Sequence, residues 1–265
     1  MTGPAEPLDH VVVNVLRGME AAAELFAGLG FTLTPLGRHS LGSINHLMVA
    51  PGAYLELVGV PAEGKQRQEV LDSPFGLNGL VFRSTDVDAT YARLKGDDLQ
   101  PSEPVAFSRP VEIDGRTLDA SFRTVRVPNG LFPAGRVYFC QHLTPEFVWR
   151  DEWLEHPNGF CGFDRIAVGS ANPEIDAARY VSATDADAEP HGAGWRVAVG
   201  DFVIDVEPAE RPRFIALGLR FRGLDELARR AKALAADVRW SETGHDAATL
   251  TIPSFELRIE CRSVA

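Results

Sequence analysis

His10 and Glu56 are the residues from which chemistry can be built in this chain. Each sits in a run that reads as a β-strand, residues 8–15 and 54–60. Side chains alternate faces along a strand. His10 therefore shares a face with Val12 and Asn14, and Val11, Val13 and Val15 point the other way. Glu56 shares its face with Tyr54 and Val58, opposite Leu55 and Leu57. Each strand has an apolar back and a front carrying one metal-capable side chain. A lone His or Glu on a strand is more often surface or a satisfied polar group, so only the pairing carries weight.

Other reactive types recur on strand-like runs. Tyr138, Cys140 and His142 share one parity, with Gln141 on the other. His142 lies two residues beyond Cys140, about 7 Å along the strand. Asn45 and His46 have opposite parity, so only one faces a given side; Asn45 is the preferred cavity residue, with His39 and His46 weaker. Arg123 and Arg126 also differ in parity, and one of them could bind a substrate carboxylate. Cys140 reads as a small core residue, and His191 and His245 as surface.

The elements that must hold these residues recur in one order. Residues 8–60 read as strand, helix, three strands. The helix, residues 19–29, shows an apolar stripe of Met19, Ala22, Ala23 and Phe26, ending at Gly28 and Gly30. Strands are expected at 31–35, 44–49 and 54–60, with 37–43 a loop. Residues 64–72 are polar with room for a short helix. A second unit follows: strand 79–84, helix 87–95 capped by Asp86, then strands 105–111, 118–127 and 136–143. The Asp114-Gly115 pair signals a hairpin. A connector, 144–158, carries Phe147, Trp149 and Trp153, which are expected to pack back onto a domain.

Two more units follow. The third has a strand at 162–170, a helix opened by Asn172-Pro173-Glu174, a loop at 182–194 and strands at 195–199 and 202–206. The fourth has a strand at 214–221, a helix bearing Leu224, Leu227, Ala228, Ala231 and Leu234, and three closing strands. Repeats of this kind set the fold.

Composition bounds the rest. The 265 residues suit one large domain or two of about 130 residues. The net charge of −11 argues against nucleic acid or an anionic membrane as partner. Three cysteines without a Cys-x-x-Cys spacing give neither a disulfide framework nor a thiolate zinc site. A reducing cytoplasm is expected. Residues 1–7 show no basic region followed by an apolar run, so no signal peptide is visible.

The run Leu8-Asp9-His10-Val11-Val12-Val13, the run Glu24-Leu25-Phe26-Ala27-Gly28-Leu29-Gly30-Phe31, the strand Tyr54-Leu55-Glu56-Leu57, and Phe139-Cys140-Gln141-His142-Leu143-Thr144-Pro145-Glu146 together resemble the vicinal oxygen chelate superfamily, and within it the glyoxalase-like domain proteins. Trp149-Arg150 and His156-Pro157-Asn158-Gly159 add to the likeness. It is strong over residues 8–160 and mainly architectural over 161–265.

The resemblance implies an α+β fold of four βαβββ modules, paired into two glyoxalase/bleomycin-resistance/dioxygenase-like domains. Residues 1–150 would carry a metal site and residues 151–265 would form a degenerate copy. In that copy Arg165 stands for His10 and Leu257 for Glu56, and a guanidinium cannot ligate a metal. The copy would supply support, cavity wall or the surface of a homodimer.

The resemblance also implies a divalent metal on the first and last strands of a module. His10 and Glu56 occupy those places, and His142 is the expected third ligand. Two histidines and one carboxylate suit Fe(II) or Mn(II), with Zn or Ni also able to accept them. Asn45, Arg123, Tyr138 and Gln141 are the expected substrate-binding residues. Glu56 is the expected catalytic acid–base group if it leaves the metal. The implied activity is a metal-dependent glyoxalase- or dioxygenase-type reaction, as lyase, isomerase or extradiol-type dioxygenase, on a small molecule chelating through neighbouring oxygens. The competing reading is a non-catalytic small-molecule binding or sequestration protein on the same scaffold.

Overall fold

In the computed structural model, residues 6–113 and 115–264 are described. Residues 1–5, Asp114 and Ala265 lie outside them, and with them the Asp114 half of the expected hairpin signal and most of the N-terminal stretch.

The fold is α+β, with two eight-stranded mixed sheets and few helices. The first half contributes β1 (Leu8–Leu16), α1 (Met19–Gly28), β2 (Gly37–Arg38), β3 (Ile44–Ala50), β4 (Ala53–Gly59), α2 (Gln68–Leu71), β5 (Gly76–Arg83), α3 (Val87–Gly96), β6 (Val105–Ile113), β7 (Arg116–Arg126) and β8 (Arg136–His142). Its sheet runs β2-β3-β4-β1-β5-β8-β7-β6. After α4 (Asp151–Leu154) come β9 (Phe160–Ser170), α5 (Pro173–Thr184), β10 (Asp187–His191), β11 (Gly194–Val199), β12 (Phe202–Pro208), β13 (Arg213–Phe221), α6 (Asp225–Ala233), β14 (Arg239–Gly244), β15 (Ala247–Ile252) and β16 (Leu257–Ser263). Their sheet repeats the order as β10-β11-β12-β9-β13-β16-β15-β14. In each module the first strand pairs in parallel with the last, after a helical crossover.

Three local expectations are corrected. Residues 31–36 form no strand; the first-module edge strand is the two-residue β2, inside the expected loop. Residues 182–194 are not a loop: α5 runs to Thr184 and β10 follows, paired antiparallel with β11. Their Ala, Asp and Gly content hides a fully exposed edge strand that needs no apolar face. Asn172 does not cap α5 with its side chain; Ser170 Oγ instead accepts from Asn172 N at 2.9 Å. Asp86 does cap α3, accepting from Asp88 N and Ala89 N.

One apolar core joins both halves. It gathers Val11, Val13 and Val15 of β1, the buried faces of α1, α3, α5 and α6, and Ile166 and Val168 of β9. Phe31 packs on Phe160 and Phe221, with ring centroids 5.4 and 6.2 Å away. Polar struts cross the same seam. Arg93 on α3 donates to the Ser182 and Ala183 carbonyls at the end of α5, and Arg230 on α6 donates to the Gly28 carbonyl at the end of α1. Cations there satisfy the free carbonyls of a helix C-terminus. A second apolar cluster, including Val12, Leu47, Val58, Val111 and Phe122, lines the other face of the first sheet. The site lies on that side.

Candidate functional site

β1 and β4 bring His10 and Glu56 together because Val12 is the register partner of Glu56, two residues beyond His10. Both side chains line the same cleft. His10 Nε2 lies 3.7 Å from Glu56 Oε2, and both residues are buried. Asn45, on β3, donates through Nδ2 to Glu56 Oε1 at 2.7 Å. The ring of Tyr54 stacks on His10 at 4.5 Å. These residues line one cleft.

A β-bulge adds a group that strand alternation alone would hide. On the β5 side Leu8 pairs with Phe82 and His10 with Val81, so Asp9 is an extra residue in β1. A bulge re-aims the side chain it carries. Asp9 Oδ1 stands 2.6 Å from His10 Nδ1 and 3.0 Å from His142 Nε2, and Oδ2 accepts from Arg83 Nε at 3.2 Å. Complete burial pushes the carboxyl pKa up, but His142 and His10 outweigh it and hold it well below the usual carboxylate range. An ionised Asp9 has no proton to give, so each imidazole donates to it. His10 then carries hydrogen on Nδ1 and turns the Nε2 lone pair into the cleft. Tyr138 OH donates to that nitrogen at 3.2 Å. Burial, with Glu56 nearby, raises the Tyr138 pKa, so the phenol keeps its proton.

The other expected site residues fall in three places. Asn45 and Tyr138 line the cleft. His142 does not. It has the expected parity, but it sits behind Tyr54, Phe122 and Trp149, with ring centroids at 6.1, 5.0 and 4.8 Å. Two residues of strand rise carry it past the cleft floor, and it meets His10 only through Asp9. Arg123 and Gln141 lie on the far face of the sheet. Arg123 pairs with Asp88 at 2.7 Å. Gln141 accepts from Val87 N and donates to the Thr85 carbonyl at the start of α3. Arg126, of opposite parity to Arg123, lines the cleft.

Four cleft residues carry signals that sequence reading passed over or ranked low. His39 enters from the loop after β2 and tilts against Phe107 at 5.5 Å. Burial, outweighing Glu56, lowers its pKa to about 4. Arg67 precedes α2, and Arg136 opens β8. Arg109 lies on β6 with the parity of Phe107, Val111 and Ile113, an apolar alternation that marks it as inward-facing. The first-strand position of the second module holds Asn78, which accepts from Arg136 Nε at 2.6 Å. No ligand is offered there.

Residues 8–184 match the family described as glyoxalase-like domain. The chain belongs to that family. The match spans the whole first sheet and continues through α5 of the second half. Among solved structures the chain is similar to a hypothetical protein from Staphylococcus aureus, at TM-score 0.73 and 13% identity, covering 97% of this chain and 99% of that one. It is also similar to a xylose isomerase-like TIM barrel/4-hydroxyphenylpyruvate dioxygenase fusion protein (TM-score 0.60, 14% identity, 99% of this chain and 50% of that one). A third is a mutant 4-hydroxymandelate synthase from Streptomyces coelicolor (0.55, 17%, 98% and 93%). At these identities the likeness shows the fold. No curated protein matches. No helix among the described residues is long and apolar enough to cross a membrane.

Two places offer donors for a metal ion. Among the described residues, Asp9, Cys140 and His142 bring donor atoms within 4.8 Å of one another. Asp9 is already engaged by two imidazoles and a guanidinium, and burial pushes the Cys140 thiol well up. In that cluster the carboxylate is spent on holding the two imidazoles and Arg83. His10 Nε2 and Glu56 Oε2 face each other at the cleft instead, with the Tyr138 hydroxyl on the imidazole nitrogen. Their 3.7 Å separation is close to the roughly 3–3.4 Å between neighbouring ligand atoms on an ion with bonds of about 2.1 Å. The donor types fit a divalent ion, and Asp9 is the outer-shell carboxylate that such a histidine ligand normally has.

Proposed function

We propose that this protein is a metal-assisted enzyme of the glyoxalase/dioxygenase type, acting on a small molecule through two neighbouring oxygens. His10 and Glu56 are the two side chains that would hold the ion. The carrying observation is their convergence at the cleft floor, with Asp9 fixing the His10 tautomer. An ion bound there supplies Lewis-acid polarisation of the substrate oxygens. Imidazole with carboxylate suits Fe(II) or Mn(II), and Zn or Ni share the donor preference. We assign the site to residues 1–150 and a supporting role to 151–265.

The protein's own residues do the rest. Asn45 orients the Glu56 carboxylate. Tyr138 holds a proton beside His10 Nε2 and can donate it to a substrate oxygen. Tyr54 and Phe122 close the apolar side of the site. Glu56 is the acid–base group nearest the reacting region, and it accepts a substrate proton whenever its Oε2 is free of the ion.

A second reading has its own observation. No third His, Asp, Glu or Cys joins the His10–Glu56 pair within 4.8 Å among the described residues. A metal-free binding or sequestration protein would need none.

Elemental analysis of protein purified without chelator, followed by anaerobic Fe(II) and Mn(II) titration, separates the two. Stoichiometric binding in the wild type, weakened at least about tenfold in Glu56→Gln, is expected; this corresponds to about 1.4 kcal/mol. A wild type that takes up neither ion overturns the metal reading.

A further inference from the structure

The cleft of this acidic protein holds more cations than it balances. Arg67, Arg126 and Arg136 converge on one carboxylate, Glu69, at 2.6, 2.7 and 3.7 Å. Arg109 is different. It is 2% exposed, its Nη2 has no hydrogen-bond partner, and no ion pair among the described residues includes it. Glu56 acts on it across the cleft without forming an ion pair, and a buried guanidinium is normally paired directly.

Its surroundings indicate what would pair with it. A Cβ on Gly37 would lie 3.1 Å from Arg109 Cδ and would collide with Asn45 Oδ1, so the two side chains meet over that glycine. Asn45 Oδ1 is a second buried atom without a partner, while Asn45 Nδ2 is bound to Glu56. The unpaired donor Arg109 Nη2 and the unpaired acceptor Asn45 Oδ1 thus belong to two side chains that meet over one glycine without bonding each other, and Asn45 in turn holds the proposed metal ligand Glu56. Phe107 and Phe122, stacked at 5.2 Å, form an apolar wall along the same cleft.

We infer that Arg109 anchors the carboxylate of an anionic substrate with an apolar body, and that Asn45 Oδ1 accepts a hydrogen bond from a substrate hydroxyl or N–H. The inference rests on the reading of this cleft as the substrate site. A planar guanidinium offers two parallel donors to one carboxylate. A phosphoryl group, with more charge, would call on more than one uncommitted cation, and the other three arginines already share Glu69.

The test is calorimetric titration of metal-free protein with benzoate, benzamide and phenylphosphonate. Benzoate is expected to bind the wild type at least tenfold more tightly than benzamide, and at least tenfold more tightly than it binds Arg109→Gln. Ligand-free Arg109→Met is expected to melt at or above the wild-type temperature, because it removes an unpaired buried charge. Manganese affinity of Arg109→Gln should stay within twofold of wild type. Equal benzoate affinity in wild type and variant, equal binding of benzamide, or no benzoate binding at all overturns the inference. Tighter Arg109-dependent binding of phenylphosphonate overturns the carboxylate class in favour of a phosphoryl group. A melting temperature lowered in both variants, with benzoate unaffected, makes Arg109 structural. Loss of manganese binding in the wild type would sink the metal reading alone and leave the benzoate comparison standing.

Discussion

At the register that places His10 beside Glu56, the second half places Arg165 beside Asp205. In the first half Val12 faces Glu56 across β1 and β4; in the second Ala167 faces Asp205 across β9 and β12. Each is two residues past the first-strand group. The counterpart of Glu56 is therefore Asp205 and not Leu257, which opens the last strand of the fourth module. The bulge is also kept: Asp164 is the extra residue of β9 just as Asp9 is of β1.

The backbone is thus repeated, and the side chains decide what the repeat can do. Arg165 pairs with Asp205, Glu260 and Glu207 at 3.0, 2.9 and 3.3 Å, and Arg196 grips Asp205 through two hydrogen bonds. The second half pairs its own charges at these positions. The first half brings His10 Nε2 and Glu56 Oε2 together at a cleft and leaves Arg109 Nη2 without a hydrogen-bond partner. One scaffold supports a self-neutralised face and a face that calls for a ligand.

The largest expected difference is between removing the two equivalent carboxylates. Asp205→Asn should cost roughly 2–4 kcal/mol of stability, since it removes the buried negative charge that two arginines share, and should leave Mn(II) affinity unchanged. Glu56→Gln should do the reverse, losing metal affinity with little change in denaturation midpoint. Paired urea melts and titrations check both. Similar profiles for the two variants would erase the distinction between the halves.

Next in size is Asp9→Asn. The amide cannot hold both imidazoles as a carboxylate does, and outer-shell changes of this kind typically cost about 10–100-fold in metal affinity. Asp164→Asn, on the equivalent bulge, should cost nothing measurable. Among the described residues its one ion pair is with Arg262, at 3.6 Å, and that arginine is largely exposed.

A pH effect should appear at the cleft of the first half. His39 titrates near 4 in the folded state, below the roughly 6.5 of a free imidazole. Between those values the unfolded chain binds the proton and the folded chain does not, so stability falls as pH drops from about 6.5 towards 4. Its ring keeps some surface at the cleft mouth, which limits the loss to about 1–2 kcal/mol. His39→Gln should flatten that part of the urea-midpoint profile. An unchanged slope would show that the imidazole is solvated.

The smallest expected effect on metal binding belongs to His142→Ala. Behind Tyr54 it acts only through Asp9, so the affinity change should stay within about threefold. His191→Ala, on the exposed β10 strand, should show none. A larger loss in His142→Ala would bring that imidazole back to the ion.

Sequence by itself determined the architecture and the pair at its centre. The strand–helix–three-strand order, the alternation around His10 and Glu56, the Asp86 cap and the arginine in place of a histidine at 165 are local patterns. A strand or helix writes its period into adjacent residues, so such patterns survive without tertiary information. The edge strands β2 and β10 were illegible because neither has an apolar face to write. Parity gave Arg109 a readable inward position, but nothing in the sequence says that it lacks a counter-ion. Only the tertiary structure decided which groups are satisfied. It placed His142 behind Tyr54, aimed Asp9 through a bulge, spent Arg67, Arg126 and Arg136 on Glu69, and closed Arg165 onto Asp205. Parity assigns a face, but whether a charge meets a partner depends on distances between residues far apart in the chain, set by register and packing across the sheet.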